Sequence, residues 1–459
     1  MTEQLMASDT SSRNSQVAGI SGRNWALIAI VTQLFILGIW FGITGQFQAI
    51  ETNDSPGYIH VNWGSMVDVF GNLRTPGYPA FLAALRAVSS DTRIVPAMHF
   101  VLYALSVLLF FSGLFLLTQD IVRAFIGASA LVYTRVLFGY VSIIATDTLA
   151  AAFGVMVCGL IMIRLCSPGI VMSLLLSLAV MAGWLIRPAY LFLVPLVPVM
   201  SWMVYPALKQ PLQSRRWHAA TALLLAIAPL LLYSTLRLSV VGRFGIVSFG
   251  GFNVLGVAGQ FLVNSDVPLL SDDLRGIASA AIERRDSGRL RVGDFDDLPL
   301  TNYMRMEDRY DLTIWYVFSD SESSEVVQNP VKLNSQLRRL AQELIWLHPR
   351  EYLTWLVKAS RQAARKLMWD FADNGFTFIL LLIAAIVLIL HGYQWNREAY
   401  ENSDPLKVLA MFAVIYCVMS LAVVIPVCPP LGRFTDSAAV LLASPFAVWI
   451  WDAFQRWRP

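Results

Sequence analysis

The stretch Glu51-Thr-Asn-Asp-Ser-Pro-Gly-Tyr58, followed further on by Leu73-Arg-Thr-Pro-Gly-Tyr-Pro-Ala-Phe-Leu82, decides how the chain is read. It is polar and proline-rich and carries carboxylates and an arginine, yet apolar runs at 25–46 and about 97–117 flank it. Each run is close to the roughly twenty residues that cross a bilayer. The stretch therefore lies in a first extramembrane loop, 48–96, of a multispanning protein. Carboxylates beside an interfacial arginine make it the first place to look for chemistry.

Composition supports this. Of 459 residues, 56% are hydrophobic and 14% charged, and the mean hydropathy is +0.58. A soluble fold needs more charge to cover its exterior, so the solvent for most of this chain is a bilayer. A net charge of +3 fits lysines and arginines placed in loops on one side and gives no reason to invoke nucleic acid. Cys158, Cys166, Cys417 and Cys428 lie in or beside apolar runs without a Cys-x-x-Cys or histidine partner. They read as packing residues, not as a metal knuckle or a disulfide framework.

Working outward, residues 1–22 are rich in Ser, Thr, Asn and Gln and read as a disordered cytoplasmic tail. Spans are expected at about 25–46, 97–117, 121–138, 147–165, 169–186, 189–205, 218–238, 375–392, 406–427 and 436–453. That makes about ten, all α-helical, with both termini on one side. Arg13, Arg23, Arg123, Arg164, Lys209, Arg215, Arg216, Arg397, Lys407, Arg456 and Arg458 all fall on that side, which makes it the inside. The long loops 48–96 and 239–374 then face outward.

The expected organisation is the tail 1–22, an N-terminal transmembrane module 23–241 containing the loop 48–96, a small and mostly helical periplasmic cap 242–374, and C-terminal transmembrane helices 375–459. Within the cap, the Gly-rich run 249–259 reads as tight turns at the membrane surface. Apolar spacing over 337–367 reads as one interfacial helix, with Trp346, Trp355 and Trp369 at headgroup depth.

Asp54 suits a general base that takes a proton from an acceptor hydroxyl, while Asp-Ser-Pro also fits an Asx turn or a helix N-cap. Glu51 and Asp68 are competing carboxylates, Asp68 in the pattern of a solvated helix residue. Arg74, Arg187 in Arg-Pro-Ala-Tyr and Arg433 in Leu-Gly-Arg-Phe each stand at the outer end of a span. A bidentate grip on phosphate and snorkelling to headgroups both suit an arginine there. Three of them beside a carboxylate loop exceed what anchoring demands. Asp147 opens the fourth span, as an N-cap with Thr146 or as part of a site. His60 is the only histidine of the first loop and His99 lies within the second span, so no metal-ligand cluster is indicated.

Taken in order, Asp54-Ser55 with Tyr58, Arg74-Thr-Pro-Gly-Tyr78-Pro, Asp147-Thr-Leu, Arg187-Pro-Ala-Tyr and Gly432-Arg-Phe resemble the bacterial members of the GT-C glycosyltransferase superfamily. These are relatives of protein O-mannosyltransferases and lipid A aminoarabinose transferases. The resemblance covers 25–238 and the region from 376 on. It implies a helical multispanning fold of the inner membrane, interfacial helices in the first outer loop, and a polyprenyl-phosphate-linked sugar donor. It also implies an acceptor hydroxyl on a glycan, lipid or protein and no required cofactor. Asp54 maps to the catalytic aspartate, and Arg74, Arg187, Arg433, Tyr58, Tyr78 and Asp147 to the donor site. Two departures stand out: Ser55 follows the aspartate where many relatives have Glu, and Phe434 follows Arg433 where relatives often have Tyr.

On this basis Asp54 deprotonates the acceptor, the arginines hold the leaving lipid phosphate, and direct displacement inverts the anomeric centre. A transporter or flippase of lipid-linked sugars is a rival that calls for matched, broken spans in two halves. A lipid-linked glycan polymerase or ligase is another, with no need for an Asp-Ser loop directly after the first span.

Overall fold

A computed structural model describes residues 24–204, 212–289, 298–319, 329–391 and 404–455. The expected tail 1–22 and the basic residues Arg13, Arg23, Lys209, Arg397, Arg456 and Arg458 lie outside the described residues. The chain is an all-α membrane protein. Among the described residues there is no strand, only one parallel bridge joining Ile50 to Ile143.

Among the described residues, six helices are long and apolar enough to cross a bilayer: Asn24–Ile43, Ile94–Thr118, Ile121–Tyr140, Asp147–Cys166, Gln213–Val241 and Leu406–Val424. Two bent pairs bring the number to eight if each is one span. Pro349–Asp373 meets Gly375–Ile389 at 86°, and Gly432–Ala438 meets Ala443–Gln455 at 46°. Two shorter apolar helices, Ile170–Ile186 and Pro188–Val204, occupy the remaining expected spans. The sharper bend has a local cause. Asn374 Oδ1 accepts from the backbone N–H groups of Phe376 and Thr377 and so starts a new helix, while its Nδ2 donates to the Tyr133 carbonyl and fixes the corner.

The helix Asp147–Cys166 is the most enclosed of the spans. Its Gly159 lies so close to the helix Ile94–Thr118 that an added Cβ would stand 2.8 Å from the Phe110 backbone nitrogen. Small residues at such crossings let helices gain contact where lipid gives no hydrophobic drive between them. Asp147 is the first residue of this helix.

The 242–374 segment builds a second core around Phe252, Leu255, Leu274, Leu337, Leu340 and Leu344, continuous with Cys417, Leu421 and Cys428 at one end of the helix Asp404–Val424. Two expectations are corrected here. The Gly-rich run is not a set of turns but the helix Gly250–Ala258. Its glycines serve close approach: a Cβ on Gly256 would meet Tyr310 Cε2 at 2.6 Å, and Gly251 lies against Asn334 of the helix Pro330–Leu347. The single interfacial helix is two, Pro330–Leu347 and Pro349–Asp373. The break falls at His348 because Pro349 disfavours helical backbone in the residue before it. Trp355 is buried, with Nε1 donating to the Ile425 carbonyl at 3.2 Å, whereas Trp346 and Trp369 are exposed.

Candidate functional site

The first loop is stitched to the start of the central helix by main-chain contacts. Ile50 N–H donates to the Ser142 carbonyl and Ile144 N–H to the Ile50 carbonyl, both at 2.8 Å. Ser55, fully buried, donates its hydroxyl to the Ile144 carbonyl at 2.8 Å and accepts from Thr52 N–H. Ser55 is thus a fastener of the loop. It presents Asp54 on the side of the central helix where Asp147 begins.

Asp54 accepts one arginine on each oxygen: Arg74 Nη2 reaches Oδ1 at 2.6 Å and Arg433 Nη1 reaches Oδ2 at 3.0 Å. It caps nothing with its side chain. Ser55 occupies the N-cap position of the short helix Pro56–Ile59 and makes no capping bond either. Burial alone would raise the Asp54 carboxyl, but Arg74 and Arg433 outweigh it and hold the group below its ordinary value of 3.8. Arg74 comes from the turn before the helix Gly77–Val88 and stacks its guanidinium 5.1 Å from the Tyr58 ring and 5.4 Å from the Phe249 ring. Gly77 permits this re-entry, since a Cβ there would lie 2.6 Å from the Leu185 carbonyl.

A second ion pair lies alongside. Asp147, 3% exposed, pairs with Arg187, 6% exposed. Asp147 is the first residue of its helix, where Thr146 holds the N-cap position without a side-chain bond, and its carboxylate pairs with Arg187, which is buried instead of reaching for headgroups. Phe434 joins the two pairs, with the Arg187 guanidinium 4.7 Å and the Arg433 guanidinium 5.4 Å from its ring. The aromatic face stands where a phenol was looked for.

Tyr58 lies edge-on to Tyr78 with centroids 5.1 Å apart. Tyr78 is fully buried and its hydroxyl is engaged by His99 Nε2 at 3.2 Å, while His99 Nδ1 meets the Val141 carbonyl at 3.1 Å. With Nδ1–H donating to that carbonyl, Nε2 is left to accept from the phenol. Tyr78 therefore supports Tyr58 from below, and its hydroxyl is taken. Glu51 and Asp68 are exposed, Asp68 accepting from Asn62 Nδ2 at 2.6 Å, and among the described residues neither pairs with an arginine.

Several participants carried no sequence signal. Phe249 reads in the sequence as one more aromatic of the Gly-rich run. Asp311, on the helix Tyr303–Leu312, is open to solvent, yet the protein around it still desolvates the carboxyl enough to raise it, against the pull of Arg433 and with the push of Asp54. One turn beyond Arg433, Asp436 accepts from the Tyr140 hydroxyl at 2.8 Å and lies 3.2 Å from Arg135 Nε. Arg135 also pairs with Asp373 at 2.8 Å, and Thr435 donates to Asp370 at 2.9 Å. This network ties the short helix Gly432–Ala438, and so Arg433, to two neighbouring helices.

Among the described residues no group of three or more His, Cys, Asp or Glu side chains is placed to hold a metal ion. Set against protein-family models, curated proteins and solved structures, the chain matches none. Its class is therefore read from its own fold and site: a multispanning helical membrane protein with two carboxylates and three arginines gathered beside a second core.

Proposed function

We propose that the protein is a membrane glycosyltransferase of GT-C type, crossing the inner membrane about ten times with both termini inside. It moves a sugar from a polyprenyl-phosphate carrier to an acceptor hydroxyl on the outer face. The observation that carries this reading is the double pairing of Asp54 with Arg74 and Arg433, next to the Arg187–Asp147 pair and linked to it through Phe434.

In that arrangement the arginines are ready for phosphate and Asp54 is not yet a base, because both its oxygens are occupied and its proton affinity is low. A lipid phosphate competes for Arg74 and Arg433 with the geometry that guanidinium forks favour. Once they turn to it, Asp54 loses its two cationic partners and becomes the better proton acceptor. The acceptor oxygen then bonds to the anomeric carbon as its proton passes to Asp54. The bond from that carbon to the phosphate oxygen breaks, and the lipid phosphate leaves with the electron pair. The attack comes from the face opposite the leaving group, so the configuration inverts. Tyr58, Phe249 and Phe434 supply aromatic faces around the arginines.

The test is to incubate purified protein with a panel of radiolabelled polyprenyl-phosphate sugars. One donor should be transferred or slowly hydrolysed by the wild type and left intact by Asp54→Asn. A wild type that neither binds nor turns over any of them refutes the proposal.

A further inference from the structure

Between Asp147 and Asp266 the chain contains no acidic residue, yet it contains Arg164, Lys209, Arg215, Arg216, Arg237 and Arg243 besides Arg187. Two of these arginines are buried, and their surroundings differ. Arg237 spends its whole fork on the protein: Nε donates to the Phe70 carbonyl, Nη1 to the Arg243 carbonyl and Nη2 to the Ser248 hydroxyl. Arg164, 5% exposed, has only two hydroxyls, Ser173 Oγ at 3.2 Å from Nε and Thr221 Oγ1 at 2.8 Å from Nη2. Among the described residues no carboxylate pairs with it, and its Nη1, which keeps some accessible surface, donates to nothing.

Arg164 lies near the far end of the helix Asp147–Cys166, roughly 25 Å from Asp147 at 1.5 Å per residue, so it stands at the membrane face opposite the Asp54 site. Ser173 is in the first turn of the helix Ile170–Ile186. Thr221 belongs to Gln213–Val241, one turn after His218 and two after Arg215 and Arg216. Arg215 is itself held over Trp202, its guanidinium 3.9 Å from the ring. A cation withdrawn from water is costly unless an anion meets it. The two hydroxyls fix the orientation of the fork without neutralising it.

We infer that Arg164, Ser173 and Thr221 form a binding site for a phosphate group, independent of the proposed transfer reaction. Arg215 and Arg216 precede Thr221 on the same helix and form a basic rim. Its two sources are the headgroup of an anionic phospholipid and free phosphate. A guanidinium fork fits two phosphate oxygens, and an anionic leaflet concentrates the lipid source at this depth.

The experiment reconstitutes full-length protein in nanodiscs of phosphatidylglycerol with phosphatidylcholine, counts the lipids retained by native mass spectrometry, and measures equilibrium binding of labelled inorganic phosphate in phosphatidylcholine alone. The wild type should retain phosphatidylglycerol over phosphatidylcholine. Arg164→Gln should lose about tenfold of that preference, because a charge-assisted bond is removed, and Arg164→Lys should fall between, having the charge without the fork. Arg93→Gln, an exposed arginine beside Asp91, should match the wild type. Phosphate binding in phosphatidylcholine, lost in Arg164→Gln, assigns the site to the soluble source. Should Arg164→Gln not accumulate, Ser173→Ala should show a severalfold loss of the same preference. A wild type with neither lipid preference nor phosphate binding, or an undiminished preference in the Arg164 and Ser173 variants, overturns the inference.

Discussion

Replacing Asp54 by Asn should weaken catalysis and strengthen donor binding at the same time. In the resting arrangement each Asp54 oxygen holds one arginine, and the side chains of Asp54, Arg74 and Arg433 are 30%, 22% and 40% exposed. At such exposure solvent screens an ion pair to about 0.5–1 kcal/mol. A lipid phosphate that takes over both arginines must first give up about 1–2 kcal/mol. The amide of Asp54→Asn accepts at one oxygen without charge, so most of that competition disappears. Affinity for polyprenyl phosphate should then rise by about 5- to 30-fold. Turnover should fall by about 100-fold or more, since the amide takes no proton. Calorimetric binding of polyprenyl phosphate, with single-turnover transfer at saturating donor, separates the two effects. If phosphate binding weakened in parallel with turnover, Asp54 would be organising the arginines instead of competing with phosphate for them. Full turnover would remove the carboxylate from the mechanism.

Four further outcomes follow. Because the Asp54 carboxyl sits below its ordinary value of 3.8 in the folded protein, its ion pairs add stability above that value and lose it as pH falls through the folded one. The melting-temperature gap between wild type and Asp54→Asn should therefore be constant from about pH 7 to 5 and shrink below about pH 4. Asp147→Asn leaves Arg187 buried without a counter-charge and should cost about 3–5 kcal/mol, read as a lowered melting temperature, while Arg187→Lys and Arg433→Lys keep charge, lose the fork and should cut transfer strongly. Trp346 and Trp217 are both exposed, so with both termini inside, an impermeant thiol reagent added outside should label Trp346→Cys and leave Trp217→Cys untouched.

The positions of the helices were legible because apolar runs of bilayer length leave few other structures open to the chain. Their interruptions were less so. The His348-Pro349 step carried its break openly, but the helical spacing of Leu340, Leu344, Leu353 and Leu356 runs straight across it and masked it. The Gly-rich run was misread for a different reason: glycine serves a turn and a close helix crossing equally well, and only the partners of Gly251 and Gly256 decide which. At the site, the residue types were legible and the pairings were not. Asp54 and Arg433 are 379 positions apart. Nothing local marks Phe434 as the face shared by two arginines, or Ser55 as the fastener of the loop.

Under the proposed function the pairings also bear on charge. The directly paired groups, Arg74, Arg187 and Arg433 with Asp54 and Asp147, carry one net positive charge among themselves, with the solvent-open Asp311 beside them left out of that sum. A sugar linked to polyprenyl phosphate is a phosphodiester with one negative charge, and its binding brings the sum to zero. In the proposed reaction, transfer to a hydroxyl turns the diester into a monoester able to carry a second negative charge, and the proton released by the acceptor goes to Asp54, raising the protein's charge by one. The sum over these paired groups and the bound phosphate stays at zero throughout, so the transfer builds up no net charge among them. This balance has a measurable corollary: binding of the dianionic product to wild type should take up about one proton, while Asp54→Asn should take up none. Calorimetry in buffers of different ionisation enthalpy reads that number directly. Equal proton uptake by the two proteins would place the transferred proton on a group other than Asp54.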